Sequence, residues 1–378
     1  MITNERMGIY IHVPFCLKKC FYCDFTSFCS TKENIKTYVK HLVKEINLYG
    51  KELEEYKSRV KTLYFGGGTP SILDTEDLRE IIINLKKYID FDTLEEVTFE
   101  ANPESVTLEK FSKLRQLGIN RISLGVQSLD NDSLIKLGRI HDSESVINAV
   151  RIIRQCGFSN LNLDLIISTP WQTKEILVKD IEGLIGLNPE HISCYSLSVE
   201  EGTEFHKMNI TPLDDEIDRE YFHLLKDLLL EKGYFRYEIS NFSKKGFESK
   251  HNTLYWNGFE YFGLGLGAHG YLNGKRYENY LDFDEYFKKT DNYLKPVYNS
   301  NVIDFDERKK EHIILNLRTT KGLDIIRFNQ LFDCDFLNDY KKSIEKLLNH
   351  NLCFIKNNHF ILTDEGFDIS NTVYLEFY

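Results

Sequence analysis

From residue 8 to about 200 the chain alternates short β-rich runs with longer charged segments of helical spacing. The strand candidates are 8–13, 60–65, 96–100, 121–125, 160–167 and 191–197, and helical spacing fills 32–54, 74–88, 107–117, 143–156 and 173–187 between them. Several of the short runs are continuously apolar instead of alternating. That is the pattern of strands covered on both faces, so the repeat predicts a parallel α/β sheet. Six strands rather than eight predict an incomplete (β/α)6 barrel of the TIM type over residues 1–211. Beyond it, 212–232 has the spacing of a long amphipathic helix and 234–242 reads as a strand. The run HNTLYW and a glycine-rich stretch at 262–270 follow, so residues 212–298 read as a connecting segment. The pattern changes again after Pro296. Helical spacing at 309–318 and 337–349, then a hairpin turning at Asn357 and Asn358, predict a small α+β domain over residues 299–378.

Composition narrows the function classes. With 58 acidic against 47 basic residues the net charge is −11, which argues against a nucleic-acid partner. A mean hydropathy of −0.36 and the lack of a long uncharged apolar run argue against a membrane span. The opening residues do not read as a signal peptide, so the expected location is cytoplasmic. Thiols stay reduced there, and four of the eight cysteines fall between positions 16 and 29, which points to metal or redox chemistry. Cys156, Cys194, Cys334 and Cys353 are scattered and read as ordinary buried thiols.

Cys16, Cys20 and Cys23 follow directly on the first strand, in a loop short enough to wrap a compact inorganic core. Soft thiolates suit iron–sulfur or zinc. Three cysteines would fill three corners of a [4Fe–4S] cube and leave the fourth iron open to S-adenosylmethionine. The competing reading is a zinc site completed by His12 or Cys29. After the second strand, Gly67, Gly68 and Thr69 belong to a GGGTPS stretch with little side-chain bulk, where backbone groups can approach a small polar ligand. Glu100, Gln127 and Asp164 lie at strand ends, and Arg139 lies between the fourth and fifth strands. Buried polar groups need partners there. They read either as contacts to a cofactor's ribose and carboxylate, with Glu100 and Asp164 able to orient Arg139, or as an internal network holding the barrel mouth.

Taken together, YIHVPFCLKKCFYCDF, GGGTPS, EANP, RISLGVQS, YEISNF, HNTLYW and GLGAHG resemble the HemW-like family of radical SAM proteins, which is related to oxygen-independent coproporphyrinogen III oxidase. The resemblance implies a radical SAM partial barrel with a small C-terminal HemW-type domain. It implies a [4Fe–4S] cluster on Cys16, Cys20 and Cys23, with Tyr10 beside the cluster. Gly67, Gly68, Thr69, Glu100, Gln127, Arg139 and Asp164 then stand at S-adenosylmethionine contacts. It also implies haem as ligand, with His251 of HNTLYW a haem contact and His269 a weaker alternative. A haem-receiving respiratory protein, an electron-donor protein, a homodimer and peripheral membrane contact through a partner follow from the same likeness. In the oxidase another cysteine stands two residues after the third; here that position is Phe25. This departure favours a haem chaperone over a radical SAM oxidoreductase acting on a tetrapyrrole such as coproporphyrinogen III. A second departure is ISTPWQ after Asp164, where relatives carry a glycine and an aliphatic residue before the proline.

Overall fold

The computed structural model describes residues 6–378. Six parallel strands form its centre: β1 (Met7–Val13), β2 (Val60–Gly67), β3 (Glu96–Ala101), β4 (Arg121–Gln127), β5 (Leu161–Ile167) and β6 (His191–Ser196). They pair strictly in chain order, and a helix returns over the outer face between each pair. Those helices begin where the polar pattern places them. Thr31, Thr107, Asp142 and Thr173 each accept an amide hydrogen of the first turn on their side-chain oxygen. Ile9, Ile11, Leu63, Phe65, Phe99, Leu124, Leu163 and Leu165 are fully enclosed between barrel interior and helices, which accounts for the continuous apolar runs.

Three readings are corrected. The helix expected over 32–54 breaks at buried Tyr49 into Lys32–Leu48 and Gly50–Glu55. The Tyr88 ring lies where a side chain at Gly50 would stand, its carbons 2.6 Å from that Cβ position. The single strand expected at 234–242 is a tight antiparallel pair, β7 (Phe235–Arg236) and β8 (Asn241–Ser243). Its turn is tied by the Arg236 guanidinium, which donates to the carbonyls of Glu238 and Ile239, and by the Glu238 carboxylate, which accepts the Ser240 amide. The connecting segment 212–298 is itself part of the sheet: β8 pairs with β6 on one side. On the other side β9 (Tyr261–Leu264) runs parallel to β1 and leads into β10 (His269–Leu272), β11 (Lys275–Asn279) and β12 (Val297–Val302). Among the described residues the sheet thus has twelve strands, and the boundary expected at residue 299 falls inside β12.

The C-terminal domain carries its own core of Phe328, Phe336, Phe360 and Phe377 beneath a three-stranded sheet, β13 (Leu323–Asp324), β14 (Cys353–Lys356) and β15 (His359–Leu362). The hairpin turns at Asn357 and Asn358, both at positive φ (50° and 60°), the geometry that a two-residue turn between twisted strands requires. Among the described residues no helix is long and apolar enough to cross a membrane.

Candidate functional site

The cysteine loop is fastened to the sheet before any ligand is considered. The amides of Gly68 and Thr69 donate to the carbonyls of Val13 and Phe15 at 2.9 and 2.8 Å. A Cβ on Gly68 would sit 2.6 Å from the Phe15 carbonyl oxygen. These two amides therefore serve the loop itself, while Gly67, Gly68 and Thr69 still line the cavity beside it. The loop closes through Phe28 N to Pro14 O and Cys16 N to Phe28 O. Its far side rests on the segment before Arg139: Phe21 N donates to Leu137 O, and the Phe21 ring fills the space a side chain on Gly138 would take.

Held this way, Cys16, Cys20 and Cys23 line one cavity of about 450 Å³, together with Gly67, Gly68, Thr69, Glu100, Gln127, Arg139 and Asp164. The Thr69 hydroxyl donates to the Cys16 sulfur and the Arg139 guanidinium to the Cys20 sulfur, each at 3.3 Å. Burial pushes the Cys16 thiol up and the Cys23 thiol up to about 11. As bare groups these thiols hold their protons, and a metal core supplies the positive charge that displaces them. Neither residue of the zinc alternative lines this cavity. The His12 ring nitrogens are engaged by the Tyr10 hydroxyl (3.0 Å) and the Thr26 carbonyl (2.9 Å), and the Cys29 thiol faces the Leu17 carbonyl. Among the described residues no three His, Cys, Asp or Glu side chains converge on a point that would hold a single ion.

Arg139 is oriented by groups that the sequence did not single out. Its Nη2 donates to Asn102 Oδ1 (2.7 Å) and to the Gly125 carbonyl (2.9 Å), while Asn102 Nδ2 donates to Thr69 Oγ1 (3.0 Å). One amide side chain thus joins the donors to two of the three sulfurs. Of the two roles open to Glu100 and Asp164, ribose contact or orientation of Arg139, neither carboxylate bonds Arg139. Glu100 accepts from the Tyr64 hydroxyl at 2.6 Å, and burial raises its carboxyl to about 7 against that bond and one from the Gly67 amide. Asp164 accepts from Asn162 Nδ2 (2.7 Å) and the Ser123 hydroxyl (3.3 Å), with burial again raising its carboxyl. Arg139 Nε is buried without a partner at the cavity wall. Gln127 closes β4 at φ +69°, beside a register shift against β5, so its side chain is turned out of the strand pattern at the cavity. The only trace of Asn102 in the sequence is its place directly after the third strand, within EANP.

A second cavity of about 580 Å³ lies between the barrel and the C-terminal domain, and it shares Asp24, Phe25, Gly67 and Glu100 with the first. Tyr10 lines this second cavity, next to the wall that the two cavities share. His251 lies on the helix Lys250–Trp256, whose first amides are accepted by the buried Glu96 carboxylate. Its ring is 1% exposed, with Nδ1 at 2.7 Å from the Thr62 hydroxyl and Nε2 at 2.7 Å from the Tyr255 hydroxyl. Burial lowers its pKa to about 3, so it stays neutral with both nitrogens engaged. Tyr255 reaches the second cavity, and Trp256 lies under the Arg318 guanidinium. His269 is exposed and lines the same cavity.

Residues 10–183 match the Radical SAM superfamily and residues 303–369 the HemN C-terminal domain. The chain is 35% identical to the heme chaperone HemW of Lactococcus lactis subsp. lactis (strain IL1403), over all of this chain and 98% of that protein. It is 34% identical to the heme chaperone HemW of Bacillus subtilis (strain 168), over 97% of each. The coproporphyrinogen III oxidase HemN from Escherichia coli, described as a radical SAM enzyme, superposes with a TM-score of 0.86 at 20% identity. That overlap takes in 99% of this chain and 90% of the oxidase, and so shows a shared fold. Full-length identity above one third, with both domains matched in order, means that this chain belongs to the HemW-like family of radical SAM proteins.

Proposed function

We propose that this protein is a haem chaperone that carries a [4Fe–4S] cluster, binds S-adenosylmethionine at that cluster, and passes haem to a haem-requiring respiratory protein. The observation that carries the reading is that Cys16, Cys20 and Cys23, with no fourth cysteine among the described residues, line one strand-end cavity, while Cys29 is turned away to the Leu17 carbonyl. When bound, the cluster offers an open iron to the amino and carboxylate groups of S-adenosylmethionine and an electron to its sulfonium. The chain's own part is placement. Arg139 and Thr69 set the electron density on two sulfurs through hydrogen bonds. Glu100, Gln127 and Asp164 offer acceptors for ribose hydroxyls or donors for a carboxylate on the remaining walls. An electron-donor protein, self-association as a homodimer and membrane contact through the recipient complete this reading of a cytoplasmic protein.

Anaerobic titration of the reconstituted protein with haem and S-adenosylmethionine tests it. The expected result is stoichiometric haem uptake, transfer to an apo-haem protein, and a change in the cluster's paramagnetic resonance signal when S-adenosylmethionine is added. Loss of all haem binding in a fully cluster-loaded sample refutes the chaperone role. The second reading, an oxidoreductase acting on a tetrapyrrole, draws on the wall common to the two cavities, which would bring a macrocycle against the cofactor. Turnover of coproporphyrinogen III to protoporphyrinogen IX with reductant would establish it in place of the first.

A further inference from the structure

The interdomain cavity has the make-up of a site for a flat, carboxylate-bearing ligand. Its volume of about 580 Å³ is in the range that accepts cofactor-sized molecules. Phe259, Tyr261, Leu315 and Phe332 give it apolar walls drawn from both domains. At its rim, Arg308 is exposed and forms no ion pair among the described residues, whereas neighbouring Arg276 is committed to Glu311 at 2.7 Å. Four residues on, and so on the same face of the helix Phe305–Leu317, stands His312.

His312 and His251 differ in one decisive respect. Both His251 nitrogens are used within the protein. His312 lines the cavity, packs edge-on against Phe332 and tilted against Phe328 with ring centroids 5.5 and 6.0 Å away, and has no hydrogen bond to either nitrogen among the described residues. Burial first, with Arg327 and Arg308 adding to it, lowers its pKa to about 4, so a neutral imidazole is present at physiological pH. Room for that ring is made by Gly258, at φ +67°, whose Cβ would come within 3.1 Å of His312 Nδ1. Gly258 is two residues past Trp256, in the turn that ends the HNTLYW helix, and Tyr255 from the same helix is held by His251 while lining the cavity.

We propose that this cavity is the haem site, with His312 as axial ligand to the iron, Arg308 paired with a propionate, and His251 acting as a positioning residue that sets Tyr255 in the wall. The proposal rests on the haem-chaperone reading. In the binding step a neutral imidazole nitrogen donates its lone pair to ferric iron, a water leaves the metal, and no oxidation state changes.

The test is anaerobic titration of the cluster-loaded full chain with ferric haem, haem dimethyl ester and metal-free protoporphyrin, followed by absorption. His312→Ala should weaken haem at least tenfold and lose the histidine-ligated band, which added imidazole restores, while metal-free protoporphyrin binds as before. Arg308→Gln should weaken haem and metal-free protoporphyrin several-fold and leave the dimethyl ester unaffected. His251→Asn should weaken binding yet keep the ligated band. An unchanged band in His312→Ala, or a band lost in His251→Asn and restored there by imidazole, overturns the assignment while leaving the chaperone reading intact. Absence of haem binding by the unsubstituted chain overturns both. Cluster absorption in each variant verifies that the barrel is folded.

Discussion

Ser168 follows β5 at φ +60°, a backbone region that costs a residue with a Cβ about 1–2 kcal/mol. Its amide is taken by the Gln172 side chain at 2.7 Å, which pins the turn, but its own hydroxyl is buried without a partner. Serine at this position therefore carries a cost in both backbone and polar burial. Ser168→Gly is expected to raise stability by about 1 kcal/mol, since relief of the turn and removal of an unpaired hydroxyl outweigh the greater freedom of glycine in the unfolded chain. Chemical denaturation would show a higher midpoint; a lower one would refute the strain. Glu100 makes a second prediction at this scale. Its folded carboxyl is raised to about 7 from an ordinary 4.5, so between those values the folded state binds more protons than the unfolded one. Stability then falls as pH rises from about 4.5 to about 7 and is level in this respect above that, by on the order of 3 kcal/mol for the one group. Glu100→Gln should flatten that part of the pH profile relative to the parent. A profile of identical slope would show that Glu100 titrates normally.

At the scale of elements, the cysteine loop and the end of β2 form one unit, because Gly68 and Thr69 spend their amides on Val13 and Phe15. Gly68→Ala puts a methyl group 2.6 Å from a backbone carbonyl that cannot retreat without moving the loop. The expected effect is a loss of about 3 kcal/mol and a sharply lower iron content after reconstitution, measured by iron and sulfide analysis. Full cluster loading in this variant would refute the clamp. The parallel strands, their order and the three cysteines were legible in the sequence because their signals are local: apolar runs, helix caps, and thiols four and three residues apart. The clamp was not. Three small residues announce a close approach without naming what approaches, and the partner is a segment some fifty residues earlier. Asn102 escaped for a similar reason, since its two side-chain bonds, to Thr69 and Arg139, exist only once three strand ends have met. The strands β10 to β12 were missed because they lie at the sheet edge, where β12 is almost wholly exposed and VYNSNV lacks an apolar run.

At the scale of the whole molecule, the barrel and the C-terminal domain have separate cores, so their docking decides whether the cavity between them exists. The contacts Arg219–Asp368, His223–Asp368 and Lys226–Asp364 cross the junction, but each has one partner more than a third exposed, and such pairs contribute little. Arg236 is placed differently. Its guanidinium lies between the rings of Phe222 from the barrel side and Phe367 from the C-terminal side, at 4.7 and 4.5 Å, while it holds the carbonyls of Glu238 and Ile239. Ile239 itself packs into the C-terminal core, so one residue secures both the β7–β8 turn and the seat of the second domain. Two desolvated cation–π contacts and two carbonyl bonds make Arg236→Ala worth about 2–4 kcal/mol of domain docking. The barrel's own strands should be nearly untouched. Hydrogen exchange should therefore quicken across β13 to β15 and the helices around them, leave β1 to β5 at parent rates, and be accompanied by weaker haem binding, because both walls of the cavity must be in place together. Uniform acceleration across both domains would instead mean that the chain unfolds as one cooperative unit and that Arg236 supports the fold as a whole.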